Sequence, residues 1–353
     1  MISASQTGPA SYIYAATRMR VRKSKLLARE DYIRLLNMGL PEITRFIEET
    51  EYKAEIDELA VSFSGIDLIE IGLSWNLANE YQRVLKILPG VMKTFARSYL
   101  SHWDIFNVLT ILRGKSQGVK TGKIKEILIP AGTINVVTLD RLLAEDSPER
   151  IVENLSSWIL HPVLEREFAA AQESGSYAGM ENELYKAFYR YVLKQTVSGI
   201  KGGKPFREYL QLEIDLTNIK TVIRLYQGGV REDVRDLMIE GGNFSVDELV
   251  RLAGSESIEE IMEGVKKYYP SGPVANLMEV GGDGEFALHE MENALTQVML
   301  DKMDRISKRY PFSICSTMVY LKRKRYEVAN LRAIARGKES GLSGEQIQGY
   351  LVM

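Results

Sequence analysis

Three stretches of this chain carry the same residue types in the same order, and that triplication restricts its fold more than any other feature. Asp104-Ile-Phe-Asn107 leads to Ile111 and Arg113, Asp215-Leu-Thr-Asn218 to Val222 and Arg224, and Glu327-Val-Ala-Asn330 to Ile334 and Arg336. Each reads an acid, Asn three positions later and Arg six after that. Asn107, Asn218 and Asn330 lie 111 and 112 positions apart, a near-constant period that marks repetition of one structural unit. A second mark precedes each first one: Ile33-Arg34-Leu35-Leu36, Asp140-Arg141-Leu142-Leu143 and Val250-Arg251-Leu252-Ala253. The expected units are 1–118, 119–230 and 231–353.

Between the marks, apolar residues recur at helical spacing: Tyr81, Val84, Leu85 and Leu88, then Leu184, Ala187, Phe188 and Tyr191, then Leu288, Met291, Leu295 and Val298. The breaks fall around Gly114 to Gly122 and Gly228 to Gly242, where glycine just past a helix end supplies left-handed backbone. Residues 126–137 hold enough β-branched side chains for a short strand, yet nothing elsewhere offers it a partner. The expected fold class is therefore all-α. Three similar units packed about a three-fold-like axis would enclose a central surface suited to holding a partner.

On a helix, the Asn and Arg of each motif point about 300° and 180° away from the acid, so the three do not share one solvent face. Asn is a poor helix former, and its place in the middle of three helices predicts a side-chain hydrogen bond to a neighbouring helix. Asp104, Asn107, Arg113, Asp215, Asn218, Arg224, Glu327, Asn330 and Arg336 are thus the candidate residues. They serve either as structural ties, which is the preferred reading, or as contacts lining the axis toward a partner.

Among 353 residues, 45% are hydrophobic and 26% charged, as in globular domains with a sizeable core. The 45 Lys and Arg nearly balance 47 Asp and Glu, which removes any general attraction to nucleic acid. A lone cysteine, Cys315, forms no internal disulfide and no thiolate set for zinc, in keeping with a reducing cytoplasmic compartment. The N-terminus has no basic start leading into an apolar stretch, so it does not read as a secretory signal. The best apolar run, Ile127 to Leu139, is interrupted by Pro130, Gly132 and Asn135, so any work at a membrane would be peripheral.

Enzyme chemistry finds no local signature. Gly118 to Lys123 and Gly199 to Lys204 both fail the phosphate-loop pattern, the first by spacing and by Ile124, the second by Pro205. His289-Glu290 would need a second histidine where Asn293 stands, and His102 and His161 are remote in sequence, which makes the histidines packing or surface residues. Glu165-Arg166-Glu167 and Glu259-Glu260 read as solvated helix faces. The cluster Lys322-Arg323-Lys324-Arg325 and the early Arg18, Arg20, Arg22, Lys23 and Lys25 read as solvated faces or a surface for an acidic protein. No catalytic, metal or cofactor residues are assigned.

The run Arg325-Tyr-Glu-Val-Ala-Asn330-Leu-Arg332-Ala-Ile-Ala-Arg336-Gly337-Lys338, with Gly341-Leu-Ser-Gly-Glu345-Gln-Ile347 behind it, closely resembles the ending of the C-subunit family of A-type (A/V-type) ATP synthases, whose eukaryotic V-type counterpart is the d subunit. The opening Tyr14-Ala-Ala-Thr-Arg18-Met-Arg20 through Lys25-Leu-Leu27 and the triplication extend the resemblance over essentially the whole chain. It implies a funnel of three pseudo-symmetric helical units that seats the foot of the central stalk and sits on the membrane rotor ring. The chain would hydrolyse nothing and need no cofactor. It would pass torque between ion flow and distant ATP chemistry, peripheral to the cytoplasmic face of the membrane. The competing reading is a helical-repeat scaffold for soluble protein partners, which accounts for the triplication but not for the ending. The loops around Ser174 to Met180 and Gly281 to Glu285 match no pattern and receive no contacts.

Overall fold

The computed structural model describes residues 9–196, 202–231, 234–269 and 288–353. Gly199 and the Gly281 to Glu285 loop lie outside them. Every regular element among the described residues is helical, so the fold is all-α.

Two compact units emerge. One joins the chain up to Glu51 to the chain from Thr196 onward; the other is Tyr52–Gln195. The first unit holds α1 (Pro9–Lys23), α2 (Arg29–Leu35), α3 (Leu40–Glu48), α13 (Gly203–Gln227), α14 (Val246–Ala253), α15 (Ile258–Tyr268), α16 (Leu288–Arg309), α17 (Cys315–Glu339) and α18 (Gly344–Gly349). The second holds α4 (Lys53–Leu59), α5 (Gly65–Ile87), α6 (Gly90–Leu100), α7 (His102–Ser116), α8 (Thr121–Ile127), α9 (Val136–Ala144), α10 (Pro148–Glu153), α11 (His161–Ser174) and α12 (Ala178–Lys194).

The motif-bearing helices α7, α13 and α17 form the interior of their units. Trp103, Ile105, Val108, Ile111 and Leu112 of α7 are buried, as are Tyr209, Ile214, Ile219, Val222 and Ile223 of α13. On α17, Met318, Val319, Leu321, Val328, Leu331 and Ile334 are all nearly sealed from solvent. Helices with apolar residues all round belong inside a protein, and α16 and α1 pack against α17, with α16 also along α13.

All three motif helices end alike. Gly118, Gly229 and Gly341 adopt φ of 67°, 68° and 74°, and they lie 111 and 112 positions apart. The next N–H reaches back to close the last turn: Val119 to Gly114 O at 2.8 Å, Val230 to Leu225 O at 2.9 Å and Leu342 to Gly337 O at 2.8 Å. This is the Schellman arrangement, in which a left-handed glycine lets two trailing N–H groups satisfy terminal carbonyls. In the outer copies a second glycine, Gly114 or Gly337, lets a following isoleucine lie against the helix; a Cβ there would come within 2.6 Å of Ile124 Cδ1 or 2.5 Å of Ile347 Cγ1. The middle copy has Leu225 in that place, and its following element is a 3-10 turn, Val234–Leu237, instead of an α-helix.

The stretch 126–137 forms no strand. It leaves α8 at Ile127, runs as open backbone and enters α9 at Val136. Pro130 has no N–H to give a ladder, and the N–H groups of Ile129, Thr133 and Ile134 are bound to side chains of α7.

Candidate functional site

The repeated acid and asparagine build one device three times. Asn107 Nδ2 donates to Ile129 O at 2.7 Å and its Oδ1 accepts the Ile129 N–H at 2.8 Å. Asn218 does the same to Ile239 at 2.8 and 2.9 Å, and Asn330 to Val352 at 2.8 and 3.0 Å. The bonds were expected to reach a neighbouring helix; they reach open backbone instead. A helical residue already has its C=O and N–H paired along the axis, whereas an open residue offers both at once to the two ends of a carboxamide. All three asparagines are buried.

One turn earlier on the same helix, the acid of the first two copies binds the backbone that leads into the next helix, α9 or α14. Asp104 Oδ2 accepts the Thr133 N–H at 2.9 Å and the Thr133 hydroxyl at 2.6 Å, and Oδ1 accepts the Ile134 N–H at 2.9 Å. Asp215 Oδ1 accepts the Asn243 and Phe244 N–H groups at 2.8 and 3.3 Å, while Oδ2 accepts the Asn243 side chain at 2.7 Å and the Tyr269 hydroxyl. Right after each bound segment a polar side chain caps a helix: Asn135 accepts from Thr138 N–H at the start of α9, and Ser245 from Glu248 N–H at the start of α14. The acid therefore orients the entrance of a helix whose own second mark, Leu142-Leu143 or Leu252-Ala253, is buried.

The third copy closes on the beginning of the chain. Glu327 Oε2 accepts the Leu27 N–H at 2.6 Å, and Leu27 stands two positions before α2, where Ile134 and Phe244 stand before α9 and α14. The acid-bound segment, which in the first two copies follows the asparagine-bound residue directly, is here supplied from the other end of the chain. The acids differ for a steric reason. Short Asp104 and Asp215 need backbone to come close, and a Cβ on Gly132 or Gly242 would fall on their Oδ1 atoms. Glu327 reaches one methylene further, and Lys25 occupies the place that corresponds to those glycines.

Burial pushes the Asp104 and Asp215 carboxyls above the ordinary carboxylate range, against the opposing pull of the donors from Thr133 and Ile134, and from Tyr269, Asn243 and Phe244. Burial, reinforced by the Asp215 charge, drives the Tyr269 hydroxyl strongly upward, so it remains a donor.

The arginines point elsewhere. Arg113 pairs with Glu181 of α12, and Arg224 forks onto Glu292 of α16 at 2.6 and 2.9 Å. Arg336 is exposed on α17. Motif residues that share one sequence pattern thus serve two separate contacts in each of the first two copies.

The cluster Lys322-Arg323-Lys324-Arg325 is not the solvated face expected of it. Lys322 and Lys324 are buried, Lys322 against Glu213 of α13 and Lys324 against Glu327 at 2.9 Å, while Arg323 pairs with Asp304 of α16. Charge runs stay wet only when no carboxylate is carried in with them, and here packing of α17 against α13 and α16 brings the acids. Glu165, Arg166, Glu259 and Glu260 do lie exposed. His102 is packed against Trp103 and Phe188, and His289 stacks on Tyr350 with centroids 4.3 Å apart. Burial pushes the Cys315 thiol up to about 12, and no group of His, Cys, Asp and Glu among the described residues could hold a metal ion.

Sequence reasoning missed Thr133, Asn243, Tyr269, Gly132, Gly242 and Glu213. A readable signal exists for two of them: Gly132-Thr-Ile-Asn135 and Gly242-Asn-Phe-Ser245 both place glycine three positions before a helix cap.

These repeated internal ties define a structural helical-repeat protein. Residues 15–350 match the family model described as ATP synthase (C/AC39) subunit. The chain is 36% identical over 350 residues to the C subunit of the A-type ATP synthase of Methanosarcina mazei, covering 98% of this chain and 94% of that protein. It is 36% identical over 352 residues to the protein of the same name from Haloferax volcanii, covering 99% of each, and 33% identical over 353 residues to that of Halobacterium salinarum, again covering 99% of each. The chain belongs to the ATP synthase C/AC39 subunit family, whose members are structural and not catalytic subunits.

Proposed function

We propose that this chain is the central-rotor socket of an A-type ATP synthase, seating the foot of the central stalk and resting on the membrane rotor ring. In this reading three helical units, drawn at 1–118, 119–230 and 231–353, stand about a three-fold-like axis as a funnel. The observation that carries it is the recurrence of one bracket on α7, α13 and α17, the last of which takes its partner segment from the start of the chain. A repeat closed on itself in this way supports a ring-like socket better than an open scaffold for soluble partners, because an open array ends in two different faces.

The nine motif residues are ties within the socket and not partner contacts; the burial of the acids and asparagines supports this. The socket works peripherally at the cytoplasmic face. No helix among the described residues is long and apolar enough to cross a membrane, which fits docking onto a ring that does. It binds no nucleic acid and needs no cofactor, and it passes torque between ion translocation and ATP synthesis or hydrolysis.

The test is purification of the tagged chain from mildly solubilised membranes of its own cells, with partners identified by mass spectrometry. Recovery of stalk and ring subunits is the expected result. Recovery of soluble partners alone, from membranes shown to keep an intact synthase, would replace the rotor with the scaffold.

A further inference from the structure

Helix α1 is outside the repeat, and its outer face carries several large apolar groups. In the first two copies, five positions separate the asparagine-bound residue from the acid-bound one, Ile129 from Ile134 and Ile239 from Phe244, which leaves no room for a helix. In the third copy the corresponding residues are Val352 and Leu27, and α1 precedes Leu27. The repeat therefore gives α1 no task.

Its apolar residues are not confined to the buried face. The face turned to α17 carries the small Ala15 and Ala16 with Met19, all fully buried. The outward face carries the larger apolar groups: Ile13, Tyr14 and Val21 are 47%, 57% and 52% exposed. Tyr14, Arg18 and Val21 stand at i, i+4 and i+7 and so form one stripe, with the Arg18 guanidinium 5.9 Å from the Tyr14 ring centroid. Arg20 ties the end of this face to Pro311 O at 3.1 Å, and the adjacent Phe312 is 51% exposed. No Asp or Glu occurs before Glu30, and of the basic residues of α1 Lys23 pairs with Asp304 and Arg20 binds Pro311 O, while Arg18 stands on the outward stripe.

We propose that the outward face of α1, with Tyr14, Arg18 and Val21 at its centre and Phe312 at its edge, is a docking surface for a protein helix that sets carboxylates within an apolar ridge. Tyr and Arg are residue types enriched in protein interfaces. The position of Arg18 chooses the occupant. A helix that lies in a membrane keeps its cations at the border of the apolar stripe, and here the cation stands between Tyr14 and Val21, where an opposing carboxylate satisfies it and acyl chains do not. A second copy of this chain would oppose it with the same face, whose helix bears no Asp or Glu to meet Arg18. The inference rests on the socket reading only for where the partner is found, among the neighbouring subunits of the synthase.

The experiment places a photo-reactive phenylalanine analogue at Tyr14, at Val21 and, as a control, at Val61, which is 89% exposed on the other unit. Native membranes holding the assembled synthase are irradiated and the adducts mapped to peptides. The expected result is one protein partner linked from both Tyr14 and Val21 through a segment bearing Asp or Glu, with yield lowered about ten-fold by Arg18→Glu. Adducts to lipid, adducts to a second copy, or yields no higher than at Val61 would overturn the proposal. The chain's co-purification with the synthase is read in the same sample: if it persists without adducts, the surface fails and the socket stands; if it is lost, the socket fails. Because the adducts are read with Arg18 intact, poor folding of Arg18→Glu would leave the test decisive.

Discussion

The backbone N–H of Leu27 donates to the carboxylate of Glu327 at 2.6 Å, joining residues 300 positions apart. Glu327 also neutralises the buried Lys324, so one side chain both anchors the approach to α2 and satisfies a charge inside the unit. Glu327→Ala removes the Glu327 carboxylate from that buried pair and the acceptor from Leu27, and loss of one partner of a buried pair costs about 3–5 kcal/mol. Glu327→Gln keeps an acceptor for Leu27 and should lose less. The melting temperature, together with faster hydrogen exchange across α2, checks both; equal stability of wild type and Glu327→Ala would refute the anchor.

Asn107→Ala and Asn218→Ala should each cost about 2–4 kcal/mol, because each removes two bonds and strands the buried N–H and C=O of Ile129 or Ile239, whereas Asn330→Ala should cost less, because Val352 is half-buried and water can reach its backbone. The better helix propensity of alanine returns at most about 0.7 kcal/mol, so the hydrogen bonds win. Denaturant titration of the three variants gives the comparison, and a loss under about 1 kcal/mol at any site would mean that its backbone finds another partner.

Glycine-to-alanine substitutions should separate steric from conformational need. Gly118→Ala meets open space but a left-handed backbone, with an expected cost of about 1–2 kcal/mol. Gly132→Ala and Gly242→Ala put a methyl onto Asp104 or Asp215 and should cost more, with the bracket opened. Lys25→Ala, at the place corresponding to Gly132, should change stability by no more than about 0.5 kcal/mol. Melting curves of the four variants give the order.

Glu248 gives the pH dependence a definite sign. The Ser245 N–H, the Tyr268 hydroxyl and the Ser245 hydroxyl hold its carboxyl down to about 2 from an ordinary 4.5. A depressed folded value means that its contribution is complete above about pH 4.5 and fades as pH falls toward 2. Glu248→Gln should therefore melt below wild type at about pH 7, and the gap should shrink on acidification. A gap that stays constant over the whole acid range would assign the effect to packing.

Arg336→Ala distinguishes a structural arginine from a contact one. Arg113 and Arg224, its counterparts, are bound to Glu181 and Glu292 within their units. On the structural reading the variant melts at a lower temperature as the isolated subunit. Unchanged melting with weaker stalk binding would move Arg336 to the interface.

Much of the fold is legible in the residues alone. The period of the Asn residues, the helical spacing of the apolar positions and the glycines that end the motif helices are local properties, since a left-handed φ after a helix is set by the residue that adopts it. The use of the acid and the asparagine is not legible. Their partners are backbone N–H and C=O groups of Ile129, Ile134, Ile239, Phe244, Val352 and Leu27, and every residue carries those groups whatever its side chain.

The sequence by itself determined that this chain is all-helical, carries one acid–Asn–Arg pattern three times and has one family's ending, because periodicity and glycine placement act over a few residues at a time. Tertiary structure alone decided that Lys322 and Lys324 lie inside and that the last repeat is completed by residues near the start of the chain. Whether a charge is solvated and which end meets which depend on what packing carries alongside. The burial of α17 among α1, α13 and α16 brings Glu213 to Lys322 and Leu27 to Glu327.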